Sequence, residues 1–335
     1  MILHPGILAL IVGASIVLAM VLYACWIGVR VLRSWDFGSS SEEQLVLERK
    51  TYLVSTIAST ALGFQAVSLL LFLYTIDDIH GLFVGAMCAT GSLNAAPWGW
   101  TILGVKVLAL FLSLIWITLH HFDQRAGDFP LVRRKYIGLL ALAPLVAADL
   151  ILQISYFMGL DPEVITSCCG ALFSETGSTL ASEVASLPVR PMLWAFYLGI
   201  GLFLAIALVC LLHPSRIMRY ALSATSLVVV FVSAASIVSF LSLYIYELPT
   251  HHCPFDMFQK QYSFIGYPIY LSLFSAVYFG LLPGVMYPLR KIPSLAKPVS
   301  AAEVKWLILG MVSMLSFTVI TSWPVVFWEL SLMGY

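Results

Sequence analysis

The chain has 335 residues, of which 61% are hydrophobic and only 10% charged, and 17 basic residues balance 17 acidic ones. Soluble domains carry about 25% charge, so this composition, with a mean hydropathy of +0.96, excludes a soluble globular protein. Zero net charge and the lack of any long hydrophilic block argue against nucleic-acid binding and against a separate soluble domain.

In chain order, apolar runs predict eight membrane-spanning helices, at about 5–29, 52–75, 100–120, 136–159, 191–213, 221–245, 264–287 and 304–328. Runs of that length without alternation mean helices, since only helices or closed barrels satisfy the backbone in lipid. The expected fold is therefore an all-α polytopic bundle, a single membrane domain over 1–335. The first run lacks a basic leader and a small-residue cleavage site, so it reads as a retained helix. Clustered tryptophans, such as Trp98 with Trp100 and Trp323 with Trp328, read as interfacial belts.

Basic residues set the expected orientation. One set of loops holds 14 of the 17: Arg30, Arg33, Arg49, Lys50, Arg125, Arg133, Arg134, Lys135, Arg216, Arg219, Arg290, Lys291, Lys297 and Lys305. The opposite loops hold Arg190 and Lys260, and Lys106 lies within a helix. The positive-inside rule places the first set in the cytoplasm, which puts both termini outside and the protein in a cytoplasmic (inner) membrane. Three outer loops follow, at about 76–99, 160–190 and 246–263, and together they are expected to cap the bundle.

Each outer loop carries cysteine: Cys88 in the first, Cys168 and Cys169 in the second, Cys253 in the third. Cys25 and Cys210 fall within helices and read as small buried hydrophobes. The first loop, 81–98, is uncharged and rich in Gly and Ala, which suits either a segment dipping into the membrane or a short interfacial helix. The third loop is chemically the densest stretch, with His251, His252, Cys253 and Asp256 between Pro249 and Pro254 or just beyond. Three readings stay open. Disulfides could brace the loops, with Cys168 and Cys169 reaching Cys88 and Cys253. A copper, zinc or iron site could use His251, His252, Cys253, Asp256 and, from the neighbouring hairpin, His80. Thiol redox could use Cys253 and Cys88 with Cys168 or Cys169 as the catalytic sulfurs. No Cys-x-x-Cys is present, which disfavours a zinc ribbon and covalently attached haem.

Over the eight residues Cys253 to Lys260 the chain resembles the Cys-x-x-Cys-x-x-Gln/Glu-Arg stretch of DsbB-type disulfide formers. Asp256 stands where that family has its second cysteine. The resemblance implies thiol–disulfide chemistry coupled to a quinone, with Cys253 taking its partner from another loop.

Within the spans, Gln65, Lys106, Asp149 and Gln153 lie roughly 10–15 Å from the outer helix ends at 1.5 Å per residue. Lys106 and Asp149 are the natural ion pair, with Gln153 one turn from Asp149, forming either a structural bridge or a polar path. His120, His121 and His213 sit at inner helix ends and leave room for a bis-histidine haem. The function expected is extracytoplasmic redox or metal handling, with other membrane or extracytoplasmic subunits as partners besides the bilayer. The alternatives are a transporter or channel for a small solute or ion, and a structural subunit with disulfide-braced loops.

Overall fold

A computed structural model describes residues 3–35, 41–161, 163 and 180–328. Among these residues the chain is helical and has no strand, and eight helices are long and apolar enough to cross a membrane. The protein is thus a multi-pass all-α membrane bundle. Among the described residues eleven α-helices follow in order: α1 (Pro5–Ser34), α2 (Glu42–Asp78), α3 (Ala89–Asn94), α4 (Gly99–Arg125), α5 (Val132–Met158), α6 (Leu180–Ala185), α7 (Val189–Leu212), α8 (Arg216–Ser236), α9 (Ser242–Tyr246), α10 (Gly266–Met286) and α11 (Pro293–Phe327). A π-helical stretch, Ile237–Leu241, joins α8 to α9, so the two form one span.

The termini of these helices follow from local chemistry. Ser41 caps α2 by accepting the Gln44 N–H, and Ser215 caps α8 by accepting the Met218 N–H. Pro5 and Pro293 occupy the first turns of α1 and α11, where a missing N–H leaves no bond unmade.

The chain divides into two compact units. The first comprises 1–84 and 92–166, the second 85–91 and 167–335. In the first, α1 packs on α2, α2 on α4, α4 on α5 and α5 back on α1. Its core includes Val21, Ala24, Ala58, Leu62, Tyr136 and Leu139. Gly28 lets α1 approach Tyr136 closely, since a Cβ there would meet the ring at 2.7 Å. Tyr136 Oη in turn meets Ser55 Oγ at 3.2 Å and donates to the Thr51 carbonyl, so the ring's polar end is satisfied inside the unit.

In the second unit α7 packs on α8, α8 on α10, α10 on α11 and α11 back on α7. Each unit is therefore a ring of four spans closed in chain order, a grouping of four and four that the sequence pattern of three cysteine-bearing hairpins did not suggest. Gly280 on α10 lies against Ser226 and Phe203, and a Cβ there would fall 2.2 Å from Ser226 Oγ. At the basic end of this unit Glu303 bridges two guanidinium groups, Arg219 at 2.7 Å and Arg290 at 3.0 Å. Large apolar side chains such as Leu198, Phe231, Leu271 and Val319 remain exposed on the helix flanks, the surface that lipid covers.

Candidate functional site: a buried thiol pair in the second unit

The site is built on the loop from Glu247 to Ile265 between α9 and α10. Glu247 ends α9 in the left-handed conformation (φ 54°), and the chain then turns back over the helix end. Tyr246 holds the loop from below. Its hydroxyl donates to the Cys253 carbonyl at 2.6 Å and accepts the Met257 N–H at 2.9 Å. Tyr270 Oη on α10 donates to the Pro254 carbonyl, and the Phe258 ring stacks on Tyr270 at 5.2 Å. Gly266 permits this closure, because a Cβ at that position would meet Met257 Cγ at 2.7 Å.

The π stretch has a direct consequence for the loop. Widening the helix frees carbonyls from the usual ladder, and His252 Nδ1 lies 2.8 Å from the Val238 oxygen within that stretch. His252 is thereby anchored to α8–α9. His251 instead turns towards Asp256, its Nε2 hydrogen-bonded to Asp256 Oδ2. The His251 ring also packs edge-on against Tyr246 at 4.9 Å.

Asp256 is buried at 4% exposure, and its other oxygen faces sulfur. Cys253 Sγ donates to Asp256 Oδ1 at 3.4 Å. The same sulfur lies 3.3 Å from Thr90 Oγ1 and accepts the Phe255 N–H at 3.4 Å. Cys88, from the segment 85–91 that belongs to this unit, places its Sγ 3.3 Å from Cys253 Sγ. Both cysteines are 0% exposed. Gln259 Nε2 donates to the Met87 carbonyl at 2.9 Å and holds the two loops in register.

Electrostatics tie the group together. Burial pushes the Asp256 carboxyl above the usual carboxylate range, opposed by its bond to His251. The same bond is the main cause that raises His251 above the usual imidazole value, against its burial. The bond acts in opposite senses on its two ends: it favours the proton on His251 and works against the burial that favours a proton on Asp256.

The candidate residues named from sequence fall into distinct places. Cys253, Asp256 and Cys88 come together, with one donor atom from each lying within 4.8 Å of the others. His251 supports that group through Asp256, and His252 is committed to Val238. His80, in the first unit, bonds through Nδ1 to the Asp77 carbonyl of its own turn. Cys168 and Cys169 lie outside the described residues. Thr90 and the Phe255 N–H are members that sequence reasoning missed. Thr90 could have been found by its position two residues after Cys88, whereas a backbone donor has no sequence signal.

Ala89–Asn94 is a short helix, and Cys88, Thr90 and Ser92 are all 0% exposed, so its polar groups are covered by protein. Gly99 is required just beyond it, since a Cβ would lie 2.2 Å from the Leu93 carbonyl oxygen.

A second polar group lies within the first unit. Asp149 Oδ2 accepts three hydrogen bonds, from Gln65 Nε2 at 2.8 Å, Gln153 Nε2 at 2.9 Å and Lys106 Nζ at 3.1 Å. Lys106 also donates to Ser68 Oγ and sits 5.5 Å from the Phe72 ring centroid. Nearer the basic end, Lys135 and Asp123 form a buried pair at 2.7 Å, and His120 stacks on Trp116.

Compared with known protein families, curated proteins and solved structures, the chain has no significant match.

Proposed function

We propose that this is a thiol–disulfide redox protein of the membrane, in which Cys253 is the nucleophile and Cys88 its partner, acting at the extracytoplasmic face. The observation that carries this reading is the pair of buried sulfurs 3.3 Å apart with a carboxylate oxygen 3.4 Å from one of them. The thiolate, not the thiol, is the nucleophile. Asp256 is placed to take the Cys253 proton, His251 to hold the carboxylate that takes it, and the Phe255 N–H with the Thr90 hydroxyl to stabilise the sulfur anion left behind.

The co-reactant is a disulfide on a partner protein or small molecule. Cys253 thiolate attacks one sulfur, the partner S–S bond breaks, and the departing thiolate takes up a proton. Cys88 then loses its proton and attacks Cys253 Sγ, which breaks the mixed disulfide. The net exchange oxidises two thiols to the Cys88–Cys253 disulfide and reduces one partner disulfide to two thiols, so atoms and electrons balance. The burial of both sulfurs requires the loop to open during the exchange.

The test is thiol mapping by mass spectrometry after equilibration in glutathione buffers of graded potential. A Cys88–Cys253 bond that forms and disappears as a two-electron couple supports the proposal. Its absence at every potential overturns it. Cys88→Ser should accumulate Cys253 as a mixed disulfide, because nothing remains to resolve it.

A second reading rests on the third donor. Two thiolates and a carboxylate within 4.8 Å of one another suit zinc or copper. Stoichiometric metal in the purified protein, removed by a chelator and not by a reductant, would favour this reading over the first.

A further inference from the structure

The basic ends of the two units differ in charge balance. Over 30–50 and 123–135 the first unit carries eight basic and six acidic residues. Over 213–219 and 287–305 the second carries six basic residues and a single acidic one, Glu303. A membrane orientation signal asks for basic residues near the span ends. It does not ask that their counter-charges be missing from one unit.

The one carboxylate is fully committed. Arg219 Nε donates to Glu303 Oε1 at 2.7 Å, and Arg290 Nη1 donates to Glu303 Oε2 at 3.0 Å. Arg219 and Glu303 are each 4% exposed. Two guanidinium groups on one carboxylate leave one positive charge in excess, held largely inside the protein, where an uncompensated charge is costly. The positive surface continues outward through ring contacts. Arg219 lies 5.2 Å from the Tyr287 ring centroid, Tyr287 meets the Tyr220 ring at 5.8 Å, and Arg216 lies 5.8 Å from the Tyr220 centroid. Arg216 and Lys291 are exposed.

The surroundings specify the counter-ion. Ile217 and Val285, within two residues of Arg216 and Tyr287, are 73% and 40% exposed, so the cluster borders the apolar flank that lipid covers. Tyrosines gather at the height of the lipid headgroups. A guanidinium presents a planar fork of donors that matches phosphate. A phosphate tethered to acyl chains satisfies both surfaces at once: its charge meets the arginines and its chains meet the flank. A zwitterionic lipid brings its own cation and cancels the gain, whereas an anionic one keeps it.

We infer that the basic end of the second unit, around Arg216, Arg219 and Arg290, binds the phosphate headgroup of one anionic phospholipid. The site is separate from the thiol pair and does not rest on that reading.

The experiment is native mass spectrometry of the full chain released from detergent micelles. The protein is titrated with phosphatidylglycerol or with phosphatidylcholine of the same acyl chains. The expected result is one phosphatidylglycerol retained in preference to phosphatidylcholine. Arg216→Gln and Lys291→Gln leave the Glu303 bridge untouched, and each should weaken retention about fivefold. Lys50→Gln with Arg134→Gln, exposed changes at the basic end of the first unit, should leave it unaltered. Equal retention of the two lipids overturns the inference, and so does equal loss in both sets of variants. Displacement of the lipid by inorganic phosphate at matched concentration would assign the site to free phosphate and overturn the lipid.

Discussion

At the scale of single residues, chemistry depends on which atom faces which. Asp256 presents one oxygen to His251 and the other to Cys253 Sγ, so removing its negative charge should slow every reaction of that sulfur. Asp256→Asn is expected to lower the rate of Cys253 alkylation by a small, membrane-permeant reagent about a hundredfold, the low end for a positioned proton acceptor. His251→Gln, which acts only through Asp256, should have a smaller effect that disappears in the Asp256→Asn background. Equal rates in wild type and Asp256→Asn would remove the carboxylate from the mechanism. For the other buried pair, Asp149→Asn leaves Lys106 without a counter-charge, and the loss is about 3–5 kcal/mol. Adding Lys106→Met should recover most of it, measured as thermal or denaturant unfolding in detergent micelles. Single and double variants of equal stability would show that the two are not energetically coupled. The charged, thiol and amide side chains of both groups could be named from sequence because isolated polar side chains in an apolar chain are conspicuous, whereas Thr90 and Ser68 are not. Their arrangement could not, since Cys88 and Cys253 are 165 positions apart and no pattern in one sequence sets that distance. The His251–Asp256 contact spans five positions, within reach of local reasoning, yet His252 was an equal candidate until the Val238 carbonyl claimed it.

At the scale of elements, the spans were legible but their lengths were not, and the differences are systematic. Six ends run well past the hydropathy limits: α1 to Ser34, α2 from Glu42, α4 to Arg125, α5 from Val132, α8 from Arg216 and α11 from Pro293. All lie at the basic ends, where a hydropathy window stops at the first charges. The helical backbone continues, supported by Ser41 and Ser215 as caps, because Arg and Lys are good helix formers in water. The π stretch was equally invisible, since Ile237–Leu241 reads as ordinary apolar helix. Close packing of helices is more predictable from small residues, and Gly280 is the clearest case. Its added Cβ would lie 2.2 Å from Ser226 Oγ and 2.6 Å from Phe203 Cε2. Ser226 cannot yield freely, because its hydroxyl donates to the Leu222 carbonyl at 2.7 Å. Gly280→Ala should therefore destabilise the second unit by about 1–3 kcal/mol as α8 and α10 are forced apart. The measurement is the unfolding midpoint in micelles, with Gly104→Ala as control, since nothing lies within 4 Å of a Cβ there. Gly280→Ala as stable as that control would mean the helices part without loss.

At the scale of the whole molecule, an even number of spans would leave both termini on one side, and the charge pattern is the argument for which side that is. The partition is 14 basic residues against two across the loops, far from the even split that an arbitrary orientation would give. Lys and Arg near span ends resist translocation, so the first turn of α5, with Arg133 and Arg134, is expected in the cytoplasm, and the loop from Glu247 to Ile265 outside. The native thiols are poor reporters of this. Cys25, Cys88, Cys210 and Cys253 are all buried, and an impermeant reagent that failed to reach them would say nothing about sidedness. Introduced cysteines at exposed positions avoid the difficulty. Thr250 and Arg134 are both exposed, and the partition of basic residues puts them, by expectation, on opposite sides of the membrane. A charged, impermeant maleimide applied to intact cells should label Thr250→Cys, compared against the unsubstituted chain, which carries the background of Cys168 and Cys169. Arg134→Cys should label only after the membrane is permeabilised. The reverse pattern would turn the molecule over and place the thiol pair on the cytoplasmic side. There the reducing environment would hold it as a dithiol, and the site would have to act as a reductant of its partners rather than exchange with oxidised ones.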